Sequence, residues 1–406
     1  MVTPEPNAKI RALPRSLIVN LFWLAFGLLT TATVIGLVTL WPREPAVEQR
    51  PELVRPKTVQ AEVHSIRLTR CPVPGQRDCR RVTARVTEGR SKGTLAEFAV
   101  MEPEDRLDLR VGDTVRLSES QLPPEAQIGG VKVDRWALAD FERRRPLLLL
   151  GLAFALLAIL TGRWKGLRAL VGLAISLGVV VKFIVPALLA GESPAGTALV
   201  GSLAIMLATL LITHGGGPKM LAASLGTAAA LLLTLGLGSF FISAAHITGL
   251  ASEEAIYLRS SVGDISVRGL LLAGIVIAAL GVLDDLTVSQ ASTVMALRLA
   301  NPSLGFGGLF RGAIAVGHDH VAATVNTLVL AYAGASLPVL LIFSLGSTSF
   351  GDAVNSESVA SEIIATLVGS IGLITAVPLT TALAAVLASR IAPGELSTAT
   401  SHSHSH

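Results

Sequence analysis

Charge is scarce in this sequence: 15% of its 406 residues are Asp, Glu, Lys or Arg, where a soluble globular domain carries roughly 25%. Water is therefore not the only solvent the chain is built for. Cysteine is scarcer still, with two in the whole sequence, Cys71 and Cys79. A lone pair at that spacing lacks two of the four ligands of a structural zinc site, and reads instead as one disulfide formed in an oxidising compartment. Catalytic signatures are missing as well. No HExxH pair, dinucleotide fingerprint, nucleotide-binding loop or nucleophile motif occurs, so the expectation is a protein that is not an enzyme and holds no cofactor and no metal. The loop Gly215-Gly216-Gly217-Pro218-Lys219 has the composition of a phosphate cradle without the Walker spacing, and is rejected as one.

What the chain has in abundance is hydrophobic residues, at 51%. Its charges are also unevenly placed, since 41 of the 62 lie in positions 1–150, so two physical regimes share one chain. A helix needs about 20 apolar residues to cross a hydrocarbon core of roughly 30 Å. Eight segments meet or approach that length: 16–41, 146–162, 167–190, 196–214, 220–247, 268–290, 320–345 and 360–389. The first follows Lys9, Arg11 and Arg15 and exceeds the apolar core of a cleavable signal peptide, which makes it a retained signal anchor. The second is short, and parity decides it. With eight crossings and an inner N-terminus, Lys165, Lys219, Arg298 and Arg311 fall in inner loops and Glu192, Glu253, Glu254 and Asp352 in outer ones, the positive-inside asymmetry. Both termini are then cytoplasmic. Because Lys and Arg collect in the cytoplasmic segments of a membrane protein, the net charge of +4 is not read as a nucleic-acid signal, and the expected partner is the lipid bilayer.

Residues 42–145 break the apolar pattern. Pro42, Pro45, Pro51 and Pro56 mark an extended linker. After it, Val59–Arg70, Arg81–Thr87, Gly93–Val100, Asp113–Ser118 and Val131–Phe141 alternate apolar and polar residues between Gly, Pro and Asp breaks, which predicts five strands. Five short strands point by analogy to a small β-rich, OB-like exported domain, its first hairpin stapled by Cys71 and Cys79. The expected organisation is a cytoplasmic N-terminus (1–15), a transmembrane anchor (16–41), an extracytoplasmic β-rich domain (42–145), a seven-helix transmembrane bundle (146–390) and a cytoplasmic tail (391–406) ending in Ser-His repeats.

Ionisable side chains inside spans are costly and mark function by default. Asp284 and Asp285 stand in the sixth span, followed by Thr287, Ser289 and Gln290. Counted from Arg268, Asp284 lies roughly 24 Å along the helix, in its inner third. The seventh span carries Asp319, Asn326 and Thr327, with Asn326 roughly 10 Å from Asp319 on the same helical face. The two clusters share a depth and are expected to line one polar cavity. Adjacent carboxylates at low dielectric resist simultaneous ionisation, the profile of a proton or cation site. Two blander readings stand beside this one: the aspartates end their helix in headgroup water, and Asp319, between His318 and His320, caps a first turn. Lys182 is expected to snorkel to the surface, Pro186, Pro338 and Pro378 to kink their helices, and Gly226, Gly236 and Gly238 to admit close helix neighbours.

The run through Arg268, Gly269, Gly281, Asp284, Asp285, Gln290, Asn301-Pro302, Gly317, Asp319, Asn326, Thr327 and Tyr332 resembles the YibE/F family of bacterial membrane proteins. The resemblance implies a bacterial inner-membrane location, an order of one helix, an exported domain and a helical bundle, and the transport or permease role commonly supposed for that family. Three classes of function stay open. One is a secondary transporter coupled to protons or a cation, moving an unknown small solute or ion, with Asp284 and Asp285 titrating and Gln290, Asn326 and Thr327 as neutral ligands. Another is a scaffold or accessory subunit whose residues 42–145 bind an envelope partner. The remote third is an intramembrane aspartyl protease pairing one of these aspartates with Asp319.

Overall fold

Alternation in the first polar segment produces a sheet, and the loss of alternation after residue 144 produces helices. A computed structural model of the chain describes residues 15–42, 58–69, 79–101, 108–120, 127–128, 131–132, 134–262, 265–346 and 349–392. Two compact units result, one formed by residues 49–161 and the other by 1–48 with 162–406.

In the first unit, β1 (Thr58–Thr69) pairs antiparallel with β2 (Cys79–Val86) on one side and β4 (Thr114–Glu119) on the other. β3 (Leu95–Met101) extends the sheet beyond β2, and β7 (Trp136–Phe141) beyond β4, giving the order β3-β2-β1-β4-β7. A short hairpin of β5 (Gln127–Ile128) and β6 (Val131–Lys132) takes up part of the predicted fifth strand. Side chains of a strand alternate between faces, and Val63, Val82, Ala84, Phe98, Val115, Leu117 and Trp136 fill one buried face. In β1 the register slips between Val63 and Ser65. The extra residue, His64, shifts the inward phase by one, and Ile66 packs on the same core as Val63. Asp134 ties the edge strand β3 to the approach to β7, accepting from Ala99 N–H at 2.9 Å and lying 3.6 Å from Arg81. Most of the proline-rich linker lies outside the described residues.

The helices are α1 (Arg15–Thr39), α2 (Arg144–Val179), α3 (Val185–Leu189), α4 (Pro194–His214), α5 (Pro218–Ala244), α6 (Glu253–Val262), α7 (Val267–Ala300), α8 (Phe306–Ala335), α9 (Leu337–Leu345), α10 (Phe350–Asn355) and α11 (Glu357–Arg390). Eight crossings were expected; among the described residues six helices are long and apolar enough to cross a membrane, or seven if α8 and α9 form one broken span. The difference has a local cause. The expected second and third spans run on as one helical stretch, Arg144–Leu189, because only residues 163–166 separate them and no turn-forming run intervenes. The helix nevertheless breaks at Arg163, whose φ of 49° and ψ of −129° are not helical.

α5, α7 and α11 pack together at the centre of the bundle, with α4 and α8 against them. Small residues permit this, as in other membrane bundles. A Cβ on Gly226 of α5 would collide with Thr380 of α11, one on Gly238 would reach Leu272 of α7 at 2.8 Å, and one on Gly372 of α11 would collide with Thr234 of α5. Gly236, expected to behave similarly, faces open space. Two of the prolines stand at irregularities of their helices, and a bend is found at Pro338. Pro186 has no N–H to offer the carbonyl four residues earlier, and a π-helical turn, Val180–Ile184, precedes it. α8 and α9 meet at a 60° bend beside Pro338. Lys182, in the π turn, is exposed.

Candidate functional site

The polar residues of α7 are positioned by a helix that starts at a Ser266 cap, which accepts from Gly269 N–H at 3.1 Å, and continues without interruption to Ala300. Ten residues beyond the expected end of this span are helical, so Asp284 sits near the middle of α7. Its neighbours fix its depth better than its own helix does. Asp284 Oδ2 accepts a hydrogen bond from Thr209 Oγ1 at 3.2 Å, and Thr209 is five residues from the end of α4, roughly 8 Å in at 1.5 Å per residue. Asp284 Oδ1 is buried and has no hydrogen-bond partner among the described residues.

Two further polar contacts continue along the same helix. Thr287, fully buried, accepts from Thr227 of α5 at 2.6 Å while bonding back to the Asp284 carbonyl. Gln290, also fully buried, meets α11 and α8. With its amide nitrogen toward Thr381 Oγ1 (3.1 Å) and the Ala313 carbonyl (3.3 Å), its oxygen accepts from Gly317 N–H at 3.2 Å. Gly317 is needed there, because a Cβ would lie 2.5 Å from the Gln290 amide. These contacts cross-link α7 to α4, α5, α8 and α11 through neutral hydroxyl and amide groups, together with one carboxylate.

Several expected members are elsewhere. Asp285, next to Asp284 but about 100° around the helix, is exposed, so the two carboxylates do not face one pocket. Asp319 does not cap a helix: α8 begins at Phe306, which leaves Asp319 exposed in its interior. Asn326 and Thr327 are exposed too, and Thr327 Oγ1 bonds back to the Ala323 carbonyl. The side-chain polar contacts that α7 makes among the described residues are instead to Thr209, Thr227 and Thr381. Thr209, Thr227 and Thr381 carried no sequence signal, because threonine in an apolar helix usually satisfies its hydroxyl on its own backbone, as Thr209 also does toward Ile205. No group of three or more His, Cys, Asp or Glu side chains with metal-binding geometry occurs among the described residues. Cys79 is fully buried at the start of β2, and Cys71 lies outside the described residues.

Long apolar helices joined by small-residue contacts define a polytopic integral membrane protein that carries a β domain. The family model described as YibE/F-like protein matches residues 150–390. The chain belongs to that family, and the match takes in every helix that contributes to the polar contacts of α7. No curated protein and no solved structure matches the chain.

Proposed function

We propose that the protein is a non-enzymatic secondary transporter or permease of the bacterial inner membrane, coupled to protons or a cation, and that Asp284 is the coupling group. The supporting observation is the Asp284 carboxylate itself, held inside the bundle with one oxygen on a threonine hydroxyl and the other buried without a partner among the described residues. A carboxylate placed in a membrane without a cationic neighbour is unfavourable unless it binds a proton or an ion. Thr209 is the neutral ligand this reading assigns, in place of Asn326 and Thr327; Thr287 and Gln290 hold α7 against its neighbours. The substrate is a small solute or ion.

The test uses the full chain in proteoliposomes on a solid-supported membrane, with jumps in pH or in Na⁺ or K⁺ concentration. Wild type should give a transient charge movement that Asp284→Asn abolishes and Asp285→Asn preserves. A wild-type protein that stays electrically silent to every jump would remove the assignment.

The remaining features of this reading concern topology and the β unit. Both termini are placed in the cytoplasm, with the break at Arg163 separating two spans and residues 42–145 exported. The sheet order β3-β2-β1-β4-β7 supports an OB-like barrel, since it leaves β3 and β7 as the two edges to be drawn together. A Cys71–Cys79 disulfide is supported by the β1–β2 ladder, in which Thr69, two residues before Cys71, faces Cys79. The alternative role, an accessory subunit that binds an envelope partner through residues 42–145, draws on this unit having a hydrophobic core of its own. Deletion of 42–145 would then cost more function than Asp284→Asn.

A further inference from the structure

At the end of the bundle where α4 gives way to α5 there is a cavity of about 470 Å³ whose polar lining is basic. Lys165, His214 and Lys219 converge on it, with the hydroxyl residues Thr213 and Ser292, and no acidic residue lines it. Neither lysine forms an ion pair with a described residue; all such pairs lie between positions 81 and 144. Lys219 Nζ stands 3.2 Å from His214 Nδ1. An ammonium can only donate, so the imidazole accepts at Nδ1 and carries its hydrogen on Nε2. The ring is thereby kept as a donor on its far side.

Backbone adds to this. Gly215 takes a φ of +69° that turns the chain out of α4. A Cβ on Gly216 or Gly217 would meet nothing within 4 Å, so the amides of this loop stand clear of side chains. α5 then starts at Pro218 with no side-chain cap from Gly217, which leaves the Lys219 and Met220 N–H groups of a 27-residue helix available at its positive end. Ammonium groups, an imidazole N–H and backbone amides form a donor-rich set, while the Thr213 and Ser292 hydroxyls donate to the Thr209 and Val288 carbonyls of their own helices. Its complement is an anion with several acceptor oxygens.

We propose that this cavity binds a phosphate-type oxyanion, either the phosphodiester headgroup of a membrane lipid or a free phosphate. The Walker spacing missing from the Gly215–Lys219 loop matters for nucleotide hydrolysis; it is not required of a static anion site, where the second lysine arrives from α2 instead. The proposal does not depend on the role assigned to Asp284, which does not line the cavity.

The experiment is isothermal titration of the purified full chain in neutral detergent with three probes: inorganic phosphate, dioctanoyl phosphatidylglycerol, and dioctanoylglycerol, which has the same tails without phosphate. Wild type is compared with Lys165→Ala/Lys219→Ala and with Lys182→Ala, a lysine in the same unit away from the cavity, after size exclusion has shown each to be monodisperse. Saturable binding of phosphate or of the phospholipid is expected, unaffected by Lys182→Ala. It should weaken on the order of a hundredfold in the double variant, about tenfold for each charged hydrogen bond lost, and fall with added salt. Phosphate binding alone would assign a free oxyanion, whereas phospholipid binding that displaces phosphate would assign the headgroup. The proposal is overturned if wild type binds neither, if dioctanoylglycerol binds as well as the phospholipid, or if the double variant binds like wild type.

Discussion

The two units of this chain satisfy their polar groups in opposite ways. In the sheet unit, charges meet charges: Arg116 reaches both Glu88 and Glu142, Arg135 pairs with Glu119, and Arg143 with Asp140. From α7 to the other bundle helices the side-chain cross-links are hydroxyl to hydroxyl, hydroxyl to amide, and one hydroxyl to carboxylate. The cause is the solvent. Exposed ion pairs are cheap to form in water and contribute little, whereas a charge in hydrocarbon is costly and neutral groups are what a membrane helix can carry without penalty. The apolar contacts differ in the same sense. Large side chains fill the β core, while small ones let the bundle helices close on each other.

That contrast is most open to attack in the apolar cores, where single substitutions cost most. Phe98 is fully buried in the sheet unit, and Phe98→Ala should destabilise it by about 3–5 kcal/mol through lost burial and the cavity left behind. Hydrogen exchange should show the loss across 58–141 with the α5, α7 and α11 amides unchanged. Equal loss of protection in both units would mean that they unfold as one. In the bundle the corresponding experiment adds volume. Gly226→Val should cost about 1–3 kcal/mol by overpacking against Thr380, read as a drop in thermal stability in detergent. Gly236→Val, in open space, should be near neutral, and a similar penalty at both positions would refute the close-approach account.

Much of this fold was legible in the sequence. Alternation located four of the five strands of the sheet to within two residues, since every other residue of β1 to β4 must be apolar to cover one face, and it placed the end of β7 while starting it five residues early. Apolar length located the helices but not their ends: α7 and α8 continue well past the hydrophobic windows, because a helix does not stop where apolarity stops. The site was legible only in part. Asp284, Thr287 and Gln290 announced themselves as polar groups in an apolar run, yet spacing along one helix says nothing about which neighbour it meets. The partners, Thr209, Thr227 and Thr381, are 75, 60 and 91 residues away. Asn326 was matched to Asp284 on depth alone, and depth leaves the rotation of a helix undetermined.

A smaller effect tests the hydroxyl cross-links directly. The 2.6 Å contact between Thr227 and Thr287 should yield a coupling of roughly 0.6–1.7 kcal/mol in a double-mutant cycle with Thr227→Val and Thr287→Val, the range found for membrane-embedded hydrogen bonds. Zero coupling would show that the pair merely packs. On the water-facing side, Arg135→Ala removes an exposed ion pair with Glu119, whose side chains are 66% and 44% exposed. It should cost at most about 1 kcal/mol and nothing measurable in high salt. A larger, salt-resistant cost would erase the distinction drawn between the units.

The smallest expected effect is also the one whose sign is best defined. Before β4, Arg110 donates to Asp108 through Nε at 3.1 Å, and this hydrogen bond, helped by the guanidinium charge, holds the fully exposed Asp108 carboxyl below its ordinary value. A carboxyl that releases its proton more readily in the folded chain than in the unfolded one adds stability at neutral pH, and that contribution disappears as pH falls through the folded-state value. Carboxyl carbon shifts followed by NMR across an acid titration should therefore place Asp108 below an unperturbed aspartate, and Arg110→Ala should raise it. Added salt should shrink the difference, because nothing shields the pair from solvent. An Asp108 that titrates like an unpaired aspartate in wild type would mean that this exposed ion contact does not persist in solution, leaving the hydrophobic core and the strand ladder to organise the unit.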